Sequence, residues 1–472
     1  MQEGRGVLCP PPALGRASCL TTAKSANTHN LERHAMKASR YNFFFQDCEG
    51  NHYAFNGLSG GLLQLSETDS QEIQEILAHL SDCTIKKDIE SGFWDPLRQG
   101  SFVLDDEVDE LEILKARNRL VRFSGNRLFL TVVTTHSCNL RCTYCFQEHH
   151  AESMRANVQD LLVDFVATSI KSCKELHVHW YGGEPLLCSP VIRSLSSHFR
   201  EICEASGCRY SSSMSTNGFL LREEVTAELS QVGLEAIQVT LDGPPDIHDK
   251  RRPSVNGQGT FEVILDNVVA ATQHVAVVLR VNIDRENISR VPELLDILEV
   301  RGLGKEVLCD FVPVAPLTPS CQSDCFSMAP DDELRDVMRK VAKSTLDRGL
   351  GLRLPSIIKA SHCIYDDVNS FVIDTDGRLY KCSVGEETSV GQLDGTDPRK
   401  FRLDYLPWVK WIAIDPFADA ECRECRVLPL CMGGCTFKGL TFGKKSKCPV
   451  WKEHPEEYVL LNVAAGITQP IP

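Results

Sequence analysis

Six short apolar segments recur between residues 128 and 313, each followed by a stretch long enough for a helix: LFLTVVT from Leu128, LHVHWY from Leu176, RYSSSMS from Arg209, AIQVTLD from Ala236, VVLRVNI from Val277 and VLCDFVP from Val307. Strands that return through a helical crossover pair in parallel. The first interval shows the helical half of the repeat. There Val158, Leu161, Leu162, Phe165 and Val166 stand at i, i+3, i+4, i+7 and i+8, one apolar stripe to lay on a sheet. The expected fold is α/β, a parallel sheet open or curled into a partial (β/α)6 barrel. In such sheets the loops leaving the strands meet at one end, and chemistry collects there.

The flanks differ in texture. The first 35 residues show no strand or helix period, so 1–37 read as a disordered tail, with Met36 a candidate for the genuine start. Residues 38–122 read as a small α+β domain: YNFFFQ and HYAFN as strands, then a helix near Ser70 to Leu80. The barrel is assigned to 123–350, a cysteine-rich, turn-rich domain to 351–455 and a terminal tail to 456–472. A net charge of -14 argues against nucleic acid, which needs clustered Lys and Arg, and makes basic peptides easier partners. No apolar run approaches the ~20 residues needed to cross a bilayer, and the start lacks a secretory signal, so the expectation is a cytoplasmic protein with no membrane partner. Disulfides rarely persist in that compartment. Of the 21 cysteines, those at motif spacing are therefore better explained by metal or cluster ligation, and the eleven others by buried or incidental thiols.

Directly after the first strand comes Cys138-x3-Cys142-x2-Cys145, with Tyr144 before the third thiol. A cubane iron-sulfur cluster normally takes four cysteines, so three leave one iron open; a zinc site is the bland alternative. Successive strands then end in Trp180-Tyr181-Gly182-Gly183-Glu184-Pro185, in Ser215-Thr216-Asn217-Gly218 and in Thr240-Leu241-Asp242-Gly243-Pro244, and the fifth carries Arg280 and Asn282. Asn-Gly and Asp-Gly are also ordinary turn dipeptides. Taken in order, these motifs resemble the radical S-adenosylmethionine superfamily. The resemblance implies a [4Fe-4S] cluster on Cys138, Cys142 and Cys145, chelation of S-adenosylmethionine at the open iron, and reductive cleavage to a 5'-deoxyadenosyl radical. It further implies that Tyr144, Gly182, Gly183 and Glu184 help bind the cofactor, Glu184 accepting from its amine, and that Asn217, Thr240 and Arg280 contact its methionyl or ribose portion.

The tail reads Cys363, thirteen residues, Gly377, four residues, Cys382, then Cys422-x2-Cys425-x5-Cys431-x3-Cys435, and Cys448 after twelve more. A zinc ribbon consumes four thiolates and leaves three over. The pattern resembles the SPASM extension of the superfamily, which implies two auxiliary [4Fe-4S] clusters. Cys422, Cys425, Cys431 and Cys448 would hold the outer one; Cys363, Cys382 and Cys435 would hold the inner one. The inner set is short by one ligand, since Ile357 and Ile358 stand where some members have a further cysteine. Cys309, Cys321, Cys325 and a substrate thiolate are the candidates.

Two SPASM branches compete. The sulfatase-maturing branch has an Asp after the second tail cysteine, where this chain has Ser383, a poor base without a partner. The stretch from Gln238 through His248, Arg251 and Arg252 to Phe261, and the opening Ser39-Arg40-Tyr41-Asn42, resemble the peptide-maturase branch. That likeness implies a winged-helix-like N-terminal module that adds a leader-peptide strand to its sheet, a precursor peptide as partner, and a low-potential donor such as flavodoxin or ferredoxin. The reaction implied is hydrogen abstraction from a ribosomal peptide, with electrons passed to the auxiliary clusters and a thioether, crosslink or oxidation as product. An anaerobic sulfatase-maturing enzyme is the alternative; a non-catalytic zinc-bearing binding protein is the alternative of another class. His149 and His150 read as surface residues, His248 needs no catalytic role, and the acidic run Asp105 to Glu112 reads as a solvated helix face.

Overall fold

The computed structural model describes residues 36–80, 94–317, 321, 324–326, 332–384 and 388–468. Of the tail expected over 1–37, residues 1–35 lie outside them, whereas Met36 and Lys37 belong to a strand held by backbone pairing to Asp105 and Leu104. The strands are β1 Met36–Ala38, β2 Asn42–Gln46, β3 His52–Asn56, β4 Leu62–Leu65, β5 Val103–Asp105, β6 Arg127–Val133, β7 Glu175–Tyr181, β8 Arg209–Thr216, β9 Leu234–Thr240, β10 Ala276–Ile283, β11 Val307–Pro313, β12 Gly351–Leu352, β13 Ser370–Ile373, β14 Arg378–Tyr380, β15 Ser389–Leu393 and β16 Phe401–Leu403.

The six expected strands are β6 to β11, paired in parallel and in sequence order, which gives the partial-barrel sheet. Alternation along β7 shows how the wall is built. Leu176, Val178 and Trp180 are fully buried under the outer helices, while His177, His179 and Tyr181 point to the other face and stay partly accessible. The outer core joins Leu130, Val132, Leu162, Phe165, Trp180 and Phe199. Each such side chain contributes roughly 1.5–3 kcal/mol by leaving water.

The cysteine-rich region is joined to the barrel more closely than its sequence texture implied. β13 lies parallel to β6, and β14, β15 and β16 follow as antiparallel neighbours, so one sheet of eleven strands runs from β12 to β16. Without β13 the β6 edge would present unpaired backbone groups.

In the N-terminal domain β2, β3 and β4 form an antiparallel sheet, and β1 pairs with β5. Phe43, Phe55 and Leu62 pack against Ile357, Val427, Leu430, Tyr458 and Val459 of the C-terminal region. Tyr458 and Val459 belong to a helix, Pro455–Ala464, within the segment expected as a terminal tail; burying those two side chains holds it in place. The acidic run is not uniformly solvated either. The Glu110 carboxylate is buried, accepting from Ser39 Oγ at 2.5 Å and Arg40 N at 3.0 Å.

Candidate functional site

The cysteine loop leaves β6 at Thr134 and is held by backbone bonds from two directions. Gly183 N donates to Thr135 O at 2.8 Å and Glu184 N to Ser137 O at 2.9 Å. On the other side Arg141 N donates to Pro253 O at 2.8 Å, Thr143 N to Arg251 O at 2.9 Å and Val255 N to Asn139 O at 3.0 Å. The close approach on the first side requires glycine: a Cβ on Gly182 would stand 2.3 Å from Thr135 O, and one on Gly183 2.3 Å from Ser137 O.

Glu184 is fully buried where the loops meet. Its Oε1 accepts from Leu186 N at 3.0 Å and Thr216 Oγ1 at 2.7 Å, and its Oε2 from Asn217 N at 2.7 Å. A carboxylate has about four lone-pair positions, so capacity for one further donor remains. Burial lifts its pKa, and those same bonds, with the Arg252 charge, oppose the rise. Asn217 Nδ2 donates to Asn139 Oδ1 at 2.8 Å and reaches Cys138 Sγ at 3.8 Å.

Behind the thiols lies a charged network. Tyr144 Oη donates to Asp242 Oδ2 and accepts from Arg252 Nη1 at 2.6 Å and Asn282 Nδ2 at 3.1 Å. Arg251 donates to Asp284 at 2.6 Å and lies 3.7 Å from Asp242. Burial pushes the Cys142 thiol up to about 11, with the Arg252 charge opposing; Cys138 and Cys145 are raised by the same cause. Arg252 Nε is buried with no partner among the described residues. An orphaned cationic donor beside three thiols, and a glycine cradle that tolerates no side chain, fit an anionic cluster and a ligand lying on it. Among the described residues no three His, Cys, Asp or Glu side chains converge on a single metal ion; a cubane instead takes one thiolate per iron.

Cys138, Cys142, Cys145, Tyr144, Gly182, Gly183, Glu184 and Asn217 thus meet around one loop. Thr240 stands beside Arg280 in the β9–β10 register. Arg280 itself is turned into the barrel lumen, donating to Asp310 at 3.1 and 2.9 Å and to Gln238 Oε1 at 2.9 Å. In the tail, Cys363 lies within electrostatic reach of Cys382 and Cys435, and Cys431 within reach of Cys448 and Cys425, whereas Cys422 faces Lys447 and Asp419. Cys309 is fully buried in the outer core, on the face of β11 opposite Asp310. Cys321 and Cys325 face each other at 3.9 Å.

Sequence reasoning passed over the lumen. His177 bonds Ser211 and Ser213 at 2.8 and 2.9 Å, and His179 bonds Ser213 and Ser215 at 2.9 and 3.0 Å. Burial holds His177 down at about 4 and His179 at about 3, so both imidazoles are neutral near pH 7. As pH drops below 6.5 the unfolded chain takes up protons that the folded one refuses, and stability falls from there toward pH 4. Urea melts at a series of pH values should show this acid limb. A His177→Gln, His179→Gln double variant should flatten it, and an unchanged slope would mean that the imidazoles already titrate normally.

The α/β partial barrel, the three-thiol loop and the glycine cradle define a radical S-adenosylmethionine enzyme. Residues 132–298 match the Radical SAM superfamily, a class that uses a [4Fe-4S] cluster and S-adenosylmethionine. The cysteine-type anaerobic sulfatase-maturating enzyme of Clostridium novyi (strain NT) is 26% identical over 328 residues, covering 63% of this chain and 85% of that protein. The GTP 3',8-cyclase of Clostridium perfringens (strain SM101 / Type A) is 23% identical over 278 residues, 54% and 80% of the two chains. Native anSMEcpe with bound AdoMet and Cp18Cys peptide shares the fold at a TM-score of 0.56 and 20% identity, covering 72% of this chain and 99% of that one. Among the described residues no helix is long and apolar enough to cross a membrane.

Proposed function

We propose that this chain modifies a ribosomally made peptide. Cys138, Cys142 and Cys145 hold the first cluster; Cys422, Cys425, Cys431 and Cys448 hold an outer auxiliary cluster, and Cys363, Cys382 and Cys435 an inner one. When bound, the first cluster and S-adenosylmethionine supply a 5'-deoxyadenosyl radical, a hydrogen-atom abstractor. The protein's part is placement. Gly182 and Gly183 let the cofactor approach the backbone, Glu184 offers its remaining lone pair to the cofactor amine, and the Tyr144, Asp242 and Arg252 network fixes the thiol loop.

The observation that carries the reading is the position of Tyr181. Its phenol, pushed up to about 12 chiefly by burial, lies within electrostatic reach of both Cys145 and Cys382, so a substrate beside it is flanked by the first cluster and the inner auxiliary one. The same role suits the sheet edges of β2 and β4, where a leader strand could add. A flavodoxin or ferredoxin would supply the electron.

Sulfatase maturation is the second reading, favoured by the Clostridium novyi relative and opposed by Ser383 at the base position. Anaerobic reconstitution should load about twelve irons and twelve sulfides per chain. Mass spectrometry of a neighbouring-gene peptide and of a sulfatase-motif peptide, each incubated with the reduced enzyme, then decides. Hydrogen loss confined to the first supports peptide maturation; formylglycine in the second supports the alternative. About eight irons would remove one auxiliary cluster, and tight zinc with no iron would overturn the proposal.

A further inference from the structure

One hydrogen-bonded chain crosses the barrel lumen from β7 to β11. It runs from His177 through Ser213 and His179 to Ser215, on to Gln238 at 3.4 Å, then to Arg280 and Asp310. At its far end Arg353 also donates to Asp310, at 3.4 Å. The charges do not cancel. Two guanidinium groups share one carboxylate, and the two histidines on this face, His177 and His179, are neutral near pH 7. Arg127 with Glu175 and Arg209 with Glu235 pair off at the opposite ends of these strands. The inward residues of β7 stay partly accessible although their outward neighbours are fully buried, so this face borders open space. Arg280 is partly buried and Arg353 about half exposed, at 24% and 48% of their side chains, so the excess positive charge stands at the rim of the hydroxyl-lined face, open to an entering anion.

We propose that the lumen is a carboxylate-binding subsite for the substrate peptide, with Arg353 and Arg280 as its anchors and the histidine-serine ladder as its neutral, hydrogen-bonding wall. The inference rests on the peptide-modifying reading and specifies it: the residue carried into the barrel bears a carboxylate, from an acidic side chain or from the peptide's C-terminus. Arg fits the task because its fork meets a carboxylate with two parallel N–H donors. Asp310 holds both guanidinium groups from one side and keeps their remaining donors turned to the lumen.

The test uses the reconstituted full chain and three labelled probes in equilibrium dialysis: acetyl-Gly-Glu-Gly-amide, acetyl-Gly-Gln-Gly-amide and acetyl-Gly-Gly-Gly with a free C-terminus. We expect one of the two acids to be retained about tenfold better than the Gln peptide, and which one it is identifies the source of the carboxylate. Arg353→Gln should abolish that preference with the iron content kept, and Asp310→Asn, which adds net positive charge, should strengthen it. The opposite sign of the second variant decides the matter where the first does not fold. Equal retention of acid and amide, no retention of either acid, or a preference unmoved by both variants overturns the inference. S-adenosylmethionine cleavage by the same wild-type preparation separates the readings: cleavage without carboxylate preference sinks only the subsite, and absence of cleavage sinks the enzymatic reading.

Discussion

Cys142→Ala will form no 5'-deoxyadenosine above the buffer background, and it will carry about four fewer irons per chain than wild type while keeping those of the tail. Of the three thiols, Cys142 is the one most strongly shifted by burial, to about 11, and the one whose charge most favours the protonated Arg252 guanidinium. Alanine there leaves two ligands on a loop whose backbone is already fixed on both sides by Gly183, Glu184, Arg251 and Pro253. The loop cannot rearrange to recruit a substitute. Iron counting, inorganic sulfide and liquid chromatography of the reduced reaction measure all of this in one preparation. Wild-type cleavage by the variant would remove the loop from the reaction altogether.

Gly183→Ala should be nearly as damaging without touching a ligand. Its new methyl would meet Ser137 O at 2.3 Å and His136 O at 2.7 Å, both backbone atoms that cannot rotate aside. Either the β7 loop or the cysteine loop must move, at a cost of about 1–3 kcal/mol for overpacking. Since a displacement of about 1 Å can cost on the order of 100-fold in rate, cofactor cleavage should fall about 100-fold while cluster content changes little. Gly207→Ala is the control. That glycine, unlike Gly183, has positive φ, and nothing lies within 4 Å of its would-be methyl, so the substitution should lower the melting temperature and leave cleavage alone. Equal cleavage by Gly183→Ala and wild type would mean that the cradle holds nothing.

The barrel was legible because its strands alternate between a fully buried outward face and a polar inward one, as in the LHVHWY segment of β7. The thiols and the Gly-Gly-Glu turn were legible because each motif is contiguous. The lumen was not: His177, Ser213, Gln238, Arg280 and Asp310 lie on five strands, and only the parallel register brings them together. Strands β13 to β16 are three to five residues long and interrupted by turns, too short to show a period, so the extension of the sheet past β6 left no local trace. Arg251 and Arg252 entered the sequence reading only as part of the stretch that resembles the peptide-maturase branch, and it is their burial beside Asp242, Asp284 and Tyr144 that makes them part of the site.

The pairing of β13 with β6 also sets an order of assembly. His136, two residues before the first thiol, meets Asp374 at 2.7 Å across a separation of 238 residues, and the β6 ladder beside it closes only with Ser370–Ile373. During synthesis the chain emerges from its N-terminal end, so the strand leading into the thiol loop keeps a bare edge until Ser370–Ile373 have left the ribosome. Contacts this distant in sequence form late. The wall that carries the thiol loop is thus completed by a segment from the far end of the sequence.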